Sequence, residues 1–219
     1  MSTPIVVLGA GGQARDTAWL IQELRAAGSE LEFAGFVVSD LAKLTDRDSR
    51  SQVLGDFDWL QAHASEIPAL ALGVGSPRIR LLLAEEAQRR LPQAVWPALI
   101  HPRLEIDHAS LQMGRGVMLG AGVVGSVNIR LGDFCLVNLG CTLGHEAQLG
   151  RGVVVNHGAS ISGGVVVEEG VLIGTGAKVL QYLTVGQGAS VGAGAVVTKD
   201  VARGQTVVGV PAKPVTGKG

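Results

Sequence analysis

The feature that most constrains the fold is an apolar residue at every sixth position through the second half of the chain. This series runs from Met113 to Val197, and a single glycine, Gly125, interrupts it. A second small or aliphatic residue stands four positions after each member of this series. A glycine is common three positions after each member. A period of six fits neither the 3.6-residue helix nor the two-residue alternation of an ordinary strand. It fits short strands joined by tight corners, at which glycine tolerates positive φ.

Such hexads are the pattern of a parallel β-helix. In that fold three hexads close one triangular coil, two side chains of each hexad point inward, and coils stack at the strand spacing of about 4.8 Å. The composition agrees, because only 4% of the residues are aromatic and 32 are glycine. Thin layers of Val, Leu, Ile and Ala need few large side chains. The period is unbroken from Met113 to Val197, so we expect no long loop within a coil.

The first hundred residues follow a different pattern, in which strand-like runs alternate with helix-like runs. The strand-like runs are residues 5–9, 31–38 and 69–75. The helix-like runs are residues 13–28, 55–64 and 77–90. This β-α-β-α-β order predicts a small parallel sheet with helices on its faces, and the charged segment 40–50 is predicted to be a loop.

Charge and hydropathy argue against several kinds of partner. The formal net charge of −1 gives no overall field that favours nucleic acid or an anionic membrane. No apolar run approaches the roughly 18 residues of a membrane span, and the N-terminus lacks the basic segment of a secretory signal. The two cysteines, Cys135 and Cys141, stand at inward positions of the hexads and are expected to be buried, reduced thiols. We therefore expect a cytoplasmic protein without a nucleic-acid or membrane partner.

Several motifs give the chain a resemblance to a known family. They are VVLGAGGQAR (6–15), ALIHPRLEI (98–106), LGHEAQLG (143–150), GAGAVVTKDV (192–201) and VVGVPAK (207–213). The chain resembles the left-handed β-helix acyltransferases of the hexapeptide class. More narrowly, it is similar to the sugar acetyltransferases that place a small nucleotide-sugar-binding domain before the β-helix. These include N-acetyltransferases of UDP-4-amino sugars and of GDP-perosamine, and the sialic acid O-acetyltransferases.

The resemblance implies an α/β plus all-β fold in three parts. A Rossmann-like nucleotide-sugar-binding domain spans 1–100, a left-handed β-helix acyltransferase domain spans 101–200, and a C-terminal tail spans 201–219. It also implies acetyl-CoA as the co-substrate, no metal and a homotrimer, in which outward residues near a prism edge lie in a cleft between subunits.

A histidine–glutamate pair, His145 and Glu146, stands in a repeat whose other residues are mostly glycine, alanine and aliphatic side chains. His145 is two positions beyond an inward aliphatic residue, so its side chain is expected to point out of the coil. The neighbouring carboxylate can hydrogen-bond the imidazole and fix its tautomer. The resemblance implies that His145 is the catalytic base, which is needed because an amine loses a proton as it attacks a thioester. The oxyanion needs N–H donors, which backbone groups at glycine-rich corners can supply.

The resemblance also implies where coenzyme A binds. Its contacts carry over, largely through backbone, onto Val154, Thr175 and Ala193. Corner glycines that permit close approach are Gly163, Gly174 and Gly192, and Lys199, Arg203 and Lys213 follow the last coil, where they can meet the coenzyme phosphates. Amino-sugar members carry a second histidine at the position of Val154, bonded to the thioester carbonyl. We expect backbone to take over that contact; the alternatives are His157, two hexads after His145, and no comparable contact.

The acceptor is expected to bind the first domain. The glycine-rich turn opens a helix after a strand, the arrangement that brings phosphates to helix N–H groups. The family's contacts map to Gly11, Gly12, Gln13, Asp40, Gly75 and Ser76. Gln13 stands where the family has histidine, and Asp40 stands alone where the second strand usually ends in two acidic residues.

Three other functions stay open, each with a different chemistry. One is O-acetyl transfer, including to a free sugar such as sialic acid. Another is a non-catalytic β-helix that only binds a nucleotide sugar. The last is a zinc-dependent hydratase on the same prism, which requires His108, His145 and His157 to converge. A dinucleotide oxidoreductase is excluded in practice, because only three strands are predicted before the β-helix.

Overall fold

The computed structural model describes residues 2–215, and the chain divides into two compact units with a boundary in sequence after Pro102. Of the predicted C-terminal tail, residues 216–219 lie outside the described residues. No helix within 2–215 is long and apolar enough to cross a membrane.

The first unit is a parallel sheet with helices. The strands of its sheet are β1 (Thr3–Leu8), β2 (Leu31–Val37), β3 (Val53–Gly55) and β4 (Ala69–Leu72), and the two-residue strand β5 (Leu99–Ile100) is not part of this sheet. Its helices are α1 (Gly12–Ala26), α2 (Phe57–Ala62) and α3 (Pro77–Arg90), with 3-10 turns at Leu41–Lys43 and Arg50–Gln52. The order β3-β2-β1-β4 is parallel throughout, so the carboxyl ends of all four strands lie at one edge of the sheet. Central strand β1 is buried on both faces from Ile5 to Leu8, because helices cover them.

One strand of this sheet was not predicted from the sequence. The sheet has four strands and not three, because β3 is a three-residue edge strand, too short to show a period. The helix predicted over 55–64 begins only at Phe57, because the Asp56 carboxylate accepts hydrogen bonds from the N–H groups of Asp58 and Trp59 and so caps its start. Helix α3 has the predicted bounds, with proline at its first position.

The second unit is a left-handed parallel β-helix, as predicted. Its face I holds β7 (Met118–Leu119), β10 (Leu136–Val137), β13 (Val154–Val155), β16 (Leu172–Ile173), β19 (Ser190–Val191), β21 (Thr206–Val208) and the antiparallel β22 (Lys213–Pro214). Its face II holds β8 (Val124–Gly125), β11 (Thr142–Leu143), β14 (Ser160–Ile161), β17 (Lys178–Val179) and β20 (Val196–Val197). Its face III holds β6 (Gln112–Met113), β9 (Arg130–Leu131), β12 (Gln148–Leu149), β15 (Val166–Val167) and β18 (Thr184–Val185).

Each coil of the β-helix takes 18 residues, which is three hexads. Leu136 pairs with Val154, Val154 with Leu172, and Leu172 with Ser190. The two inward series fill the centre, and members such as Val117, Leu119 and Val123 are fully buried. The glycine in the main series also has an explanation: the side chain of Ile106 occupies the space where a Cβ at Gly125 would lie.

Three-residue corners join the faces and form three edges of the prism. The I–II edge consists of corners 120–122, 138–140, 156–158, 174–176 and 192–194. The II–III edge consists of corners 126–128, 144–146, 162–164, 180–182 and 198–200. The third edge joins face III to face I. Residues that share a position on one edge are therefore 18 apart in sequence and adjacent in space.

Candidate active site

His145 lies on the II–III edge and points outward, as predicted. Its side chain is 50% exposed and that of Glu146 is 59% exposed. The backbone beneath them is held by neighbouring coils, because Glu146 N–H donates to the Val127 carbonyl at 2.9 Å and Gly164 N–H donates to the His145 carbonyl at 2.8 Å. The histidine is thus presented to solvent from a rigid edge.

The imidazole rests on Gly163, the residue one coil further along the same edge. A Cβ at that position would overlap the ring, so glycine is what allows His145 to take this orientation. The Tyr182 ring follows in the next coil, 6.5 Å from the imidazole between centroids, and covers Gly164 in the same manner. Gly163 and Gly164 therefore leave the space that the rings of His145 and Tyr182 occupy along this edge.

Glu146 occupies a corner position that demands an unusual backbone. Its φ is +61°, in the left-handed region where most other corners have glycine. A non-glycine residue there costs roughly 1–2 kcal/mol. Its Oε2 lies 3.7 Å from His145 Nδ1, which is within ion-pair range and longer than a hydrogen bond. In the single chain the carboxylate is therefore next to the imidazole without being hydrogen-bonded to it.

The residues predicted to bind coenzyme A divide between two edges of the prism. Gly163 and Lys199 share the II–III edge with His145, whereas Gly174, Thr175, Gly192 and Ala193 lie on the I–II edge together with His157. Val154 lies on face I, the whole residue is buried, and its N–H donates to the Val171 carbonyl at 3.0 Å, so in the single chain it offers no exposed atom to a ligand. Lys213 is exposed on β22 of the same face, and Arg203 is exposed beyond the last coil.

The glycines and the exposed corner residues of the I–II edge have different roles. A Cβ at Gly174 would meet the backbone at Ala193, and one at Gly192 would meet the Val208 side chain, so coil stacking already requires both glycines. Thr175 and Ala193 are exposed. Their backbone N–H groups donate to no acceptor within residues 2–215. These two exposed N–H groups are among the donors that this edge offers to a ligand.

The residues predicted to bind the acceptor come together in the first unit. Gly11, Gly12 and Gln13 follow β1, and Gly75 and Ser76 follow the neighbouring β4. A Cβ at Gly75 would lie 3.7 Å from Gln13 Oε1. Helix α1 has no side-chain cap, and among the described residues the N–H groups of Gly12 and Gln13 find no acceptor. The helix therefore opens with free donors, which suits an anion.

Asp40 follows the other neighbouring strand and lines a cavity of about 210 Å³. Gly9 and Val74, which follow β1 and β4, also line it, so the cavity is at the carboxyl edge of the sheet, where ligands bind in open α/β folds. The Lys43 ammonium beside it, together with the Ala42 N–H, lowers the pKa of the Asp40 carboxyl. Asp40 is thus a charged group in the lining of this cavity at neutral pH.

Two residues of this region were missed in the sequence. Asp48 lines the same cavity and its Oδ1 lies 3.6 Å from where a Cβ at Gly11 would be, because the charged loop folds back over the glycine-rich turn. Arg80 on α3 is completely buried, and its Nη1 donates to the carbonyls of Leu72 and Val74 at 3.0 Å each. For Arg80, the available signal in the sequence was an arginine at an inward position of an amphipathic helix.

A cysteine nucleophile and the zinc-dependent hydratase find little support in the geometry. Both cysteines are free and buried, as predicted, and burial raises the pKa of the Cys141 thiol to about 11, so it is protonated at neutral pH. His145 and His157 lie on different edges of the prism. Within residues 2–215, no cluster of three or more His, Cys, Asp or Glu residues could hold a metal ion.

A left-handed β-helix of hexads that carries an exposed histidine–glutamate pair on one edge defines the class of protein: a hexapeptide-repeat acyltransferase. Known structures narrow the class. The acetyltransferase domain of PglB from Neisseria gonorrhoeae FA1090, solved with acetyl coenzyme A, is 31% identical, with a TM-score of 0.83 over 98% of this chain and 100% of that one. The chain belongs to the hexapeptide-repeat sugar acetyltransferases.

Two further structures agree over nearly the whole length. A histidine-to-asparagine mutant of perosamine N-acetyltransferase from Caulobacter crescentus, in complex with CoA and GDP-perosamine, is 29% identical, with a TM-score of 0.85 over 98% of this chain and 97% of that one. WeeI from Acinetobacter baumannii AYE is 25% identical, with a TM-score of 0.83 over 98% and 100%. No protein-family model matches the sequence, and no curated protein does.

Proposed function

We propose that this protein transfers the acetyl group of acetyl-CoA to the amino group of a nucleotide-linked sugar, with His145 as the general base. One observation carries the proposal. An exposed histidine is held over a glycine on a rigid β-helix edge, in a chain that resembles, over nearly its full length, a protein solved with CoA and GDP-perosamine.

The chemistry needs one base and a set of N–H donors. The acceptor nitrogen attacks the thioester carbonyl carbon, the C–N bond forms, and the nitrogen gives up its proton to the His145 imidazole. The tetrahedral intermediate then collapses, the C–S bond breaks, and the imidazolium returns that proton to the departing thiolate. Glu146, at 3.7 Å, stabilises the imidazolium between these two transfers. No protein thiol takes part, which agrees with the burial of both cysteines.

We assign the acceptor to the first unit and the acyl donor to the β-helix. The N–H groups of Gly12 and Gln13 would hold phosphate at the start of α1. The cavity lined by Asp40 and Asp48 would hold the rest of the nucleotide. On the β-helix, Thr175 and Ala193 offer their N–H groups to the amide carbonyls of the pantetheine arm, and Lys199 and Lys213 offer positive charge to the coenzyme phosphates. We place the reaction in the cytoplasm, where acetyl-CoA is present and free thiols stay reduced.

We further propose that the active protein is a homotrimer with its active sites between subunits. The base lies on the II–III edge, and the N–H groups of Thr175 and Ala193 lie on the I–II edge. The two edges lie at opposite sides of face II, and the six residues that separate corresponding corner positions span up to about 20 Å. A three-fold assembly of parallel prisms brings the II–III edge of one copy against the I–II edge of the next.

Subunit complementation tests this arrangement. His145→Ala removes the base from one edge, and Ala193→Trp obstructs the other edge. Each variant alone should be inactive, whereas co-expressed mixed trimers should regain activity, because an intact II–III edge then faces an intact I–II edge of another copy. A mixture no more active than its parents, or a monomer in sedimentation at micromolar concentration, would contradict the shared site.

The reaction itself is tested by thiol release. The wild-type protein, acetyl-CoA and a panel of GDP- and UDP-linked amino sugars should release coenzyme A, and mass spectrometry should show one acetyl group on the sugar nitrogen. Acetylation at a hydroxyl of the same sugars, or only of free sugars, would replace N-transfer by the O-transfer alternative. Nucleotide-sugar binding without any acetyl transfer would point to the non-catalytic alternative.

A further inference from the structure

Tyr182 is a bulky residue at a corner position that favours a small one. Its φ is +59°, and the equivalent third residue of the preceding corner on the II–III edge is Gly164. A non-glycine residue costs free energy in this left-handed region, and burial of the side chain does not offset that cost, because Tyr182 is 70% exposed. Strained backbone positions cluster at active sites and ligand clamps. Tyr182 is therefore a candidate for contact with a ligand.

The ring of Tyr182 lies beside the free nitrogen of the His145 imidazole. Nδ1 of the imidazole faces Glu146 at 3.7 Å, whereas Nε2 is the atom nearest to where a Cβ at Gly163 would be. The Tyr182 ring occupies the corresponding space over Gly164, and the two ring centroids are 6.5 Å apart at an interplanar angle of 59°. The nitrogen that can accept a proton thus faces the part of the edge that Tyr182 covers.

The two sides of His145 along the prism differ in polarity. On the side of the N-terminal coils, a cavity of about 340 Å³ has an entirely polar lining, formed by Asn128, Arg130, Glu146 and Gln148. On the side of the C-terminal coils, corner 180–182 exposes the aliphatic side chain of Leu180 and the ring of Tyr182. A hydroxylated sugar suits the polar side, whereas an acyl chain gains by leaving water on the apolar side.

The assignment of Lys199 puts the acyl donor on the apolar side as well. Lys199 lies on the same edge three coils beyond His145, a distance of about 14 Å at the coil spacing, and Tyr182 lies between them. In the proposed function Lys199 meets the coenzyme phosphates, so a donor with its thioester at His145 extends past Tyr182. This step rests on the proposed function.

We propose that Tyr182 determines the length of the acyl group that the enzyme accepts. A nitrogen that gives its proton to His145 Nε2 lies about 3 Å from that atom, and the carbonyl carbon that it attacks is one bond further. The acyl chain therefore begins next to the Tyr182 ring, which leaves space for the methyl group of an acetyl donor and obstructs a longer chain. One methylene in an apolar pocket changes the discrimination between substrates roughly 10–200-fold. Tyr182 thus restricts the donor to acetyl-CoA.

Removing the ring without straining the backbone tests this role. Tyr182→Gly opens the space over Gly164, and glycine tolerates the left-handed corner, so the variant should fold at least as well as the wild type. With an amino sugar from the GDP- and UDP-linked panel as acceptor, kcat/KM for butyryl-CoA relative to acetyl-CoA should rise at least about tenfold. Tyr182→Phe keeps the ring and should retain the wild-type ratio.

Asn128→Gly is the matched control. Asn128 has the same corner position and a φ of +57°, but it lies one coil before His145, on the polar side. Its replacement should leave the ratio between butyryl-CoA and acetyl-CoA unchanged. Calorimetry with the two acyl donors in the absence of an acceptor gives a second measure that does not depend on transfer. Tyr182→Gly should bind butyryl-CoA more tightly than the wild type does.

The outcomes are distinct. A rise of the donor ratio in Tyr182→Gly alone supports the inference. An unchanged ratio would overturn it, whether or not both donors lose efficiency equally, because the ring would then contact the coenzyme arm or no ligand. Dissociation of Tyr182→Gly in sedimentation would also overturn it, since the ring would then pack against a neighbouring subunit. If the wild-type protein transfers no acyl group, the proposed function fails, and the calorimetric comparison still decides whether Tyr182 limits the acyl chain.

Discussion

Replacing His145 by alanine is expected to lower turnover by roughly 10²–10⁴-fold, the usual contribution of a positioned general base. The fold should not change, because the side chain is half exposed and lies outside the hydrophobic centre of the prism. Coenzyme A affinity should stay within a few-fold, since its contacts are assigned largely to backbone on the other edge. Steady-state kinetics with the true acceptor, sedimentation and calorimetry measure these three quantities.

Two companion variants sharpen the test. Gly163→Ala keeps the histidine but places a methyl group where the imidazole lies, so it should displace the ring and lower kcat while coenzyme A affinity is retained. His157→Ala is a matched control, because it removes an exposed histidine at the same corner position on a different edge. Near wild-type turnover in His145→Ala, with a large loss in His157→Ala, would transfer the role of base to His157.

A tryptophan at Gly12 is expected to abolish nucleotide-sugar binding, with a rise in the KM for the acceptor of at least about 100-fold. Gly12 is exposed, its surroundings are open, and the added indole would fill the space before the free N–H groups of α1. Displacing a phosphate from those donors removes a main anchor of the acceptor. Coenzyme A affinity should not change, because that site is assigned to the β-helix.

The control for this prediction is Gln22→Trp, which places the same side chain at an exposed position of the same helix away from its start. It should leave the KM for the acceptor within about twofold. Isothermal titration with the nucleotide sugar and, separately, with coenzyme A measures both affinities. If Gly12→Trp weakened both ligands equally, the glycine-rich turn would not be the acceptor site.

Much of the fold could be predicted because its pattern is local and repeated. The hexad series from Met113 to Val197 specifies the β-helix, the inward and outward positions and the outward direction of His145, since each corner repeats the same geometry. The prediction of the strands in the first unit was less complete. Edge strand β3 has only three residues, and it is defined by its hydrogen bonds to β2. A segment this short shows no periodic pattern from which a strand could be predicted.

The residues of the candidate site could be predicted from the sequence, whereas most of their geometry could not. Motifs identified His145 and the glycine-rich turn, but whether Glu146 hydrogen-bonds the imidazole depends on a left-handed corner and a 3.7 Å separation. The approach of Asp48 to Gly11 depends on how a charged loop folds back. Loops lack the periodicity that makes sequence patterns informative, so such contacts appear only in three dimensions.

By itself, then, the sequence determined the two-unit architecture, the 18-residue coil and the identity of the outward histidine, because these follow from spacing along the chain. Tertiary structure decided which small residues make room for which side chains. Gly125 gives space to Ile106, and Gly163 gives space to His145. It also decided that the ring of Tyr182 lies over Gly164, one coil away. Packing and the direction of hydrogen bonds depend on neighbours that are 18 or more residues away in the sequence. A pattern along the chain does not give the distances in space to those neighbours.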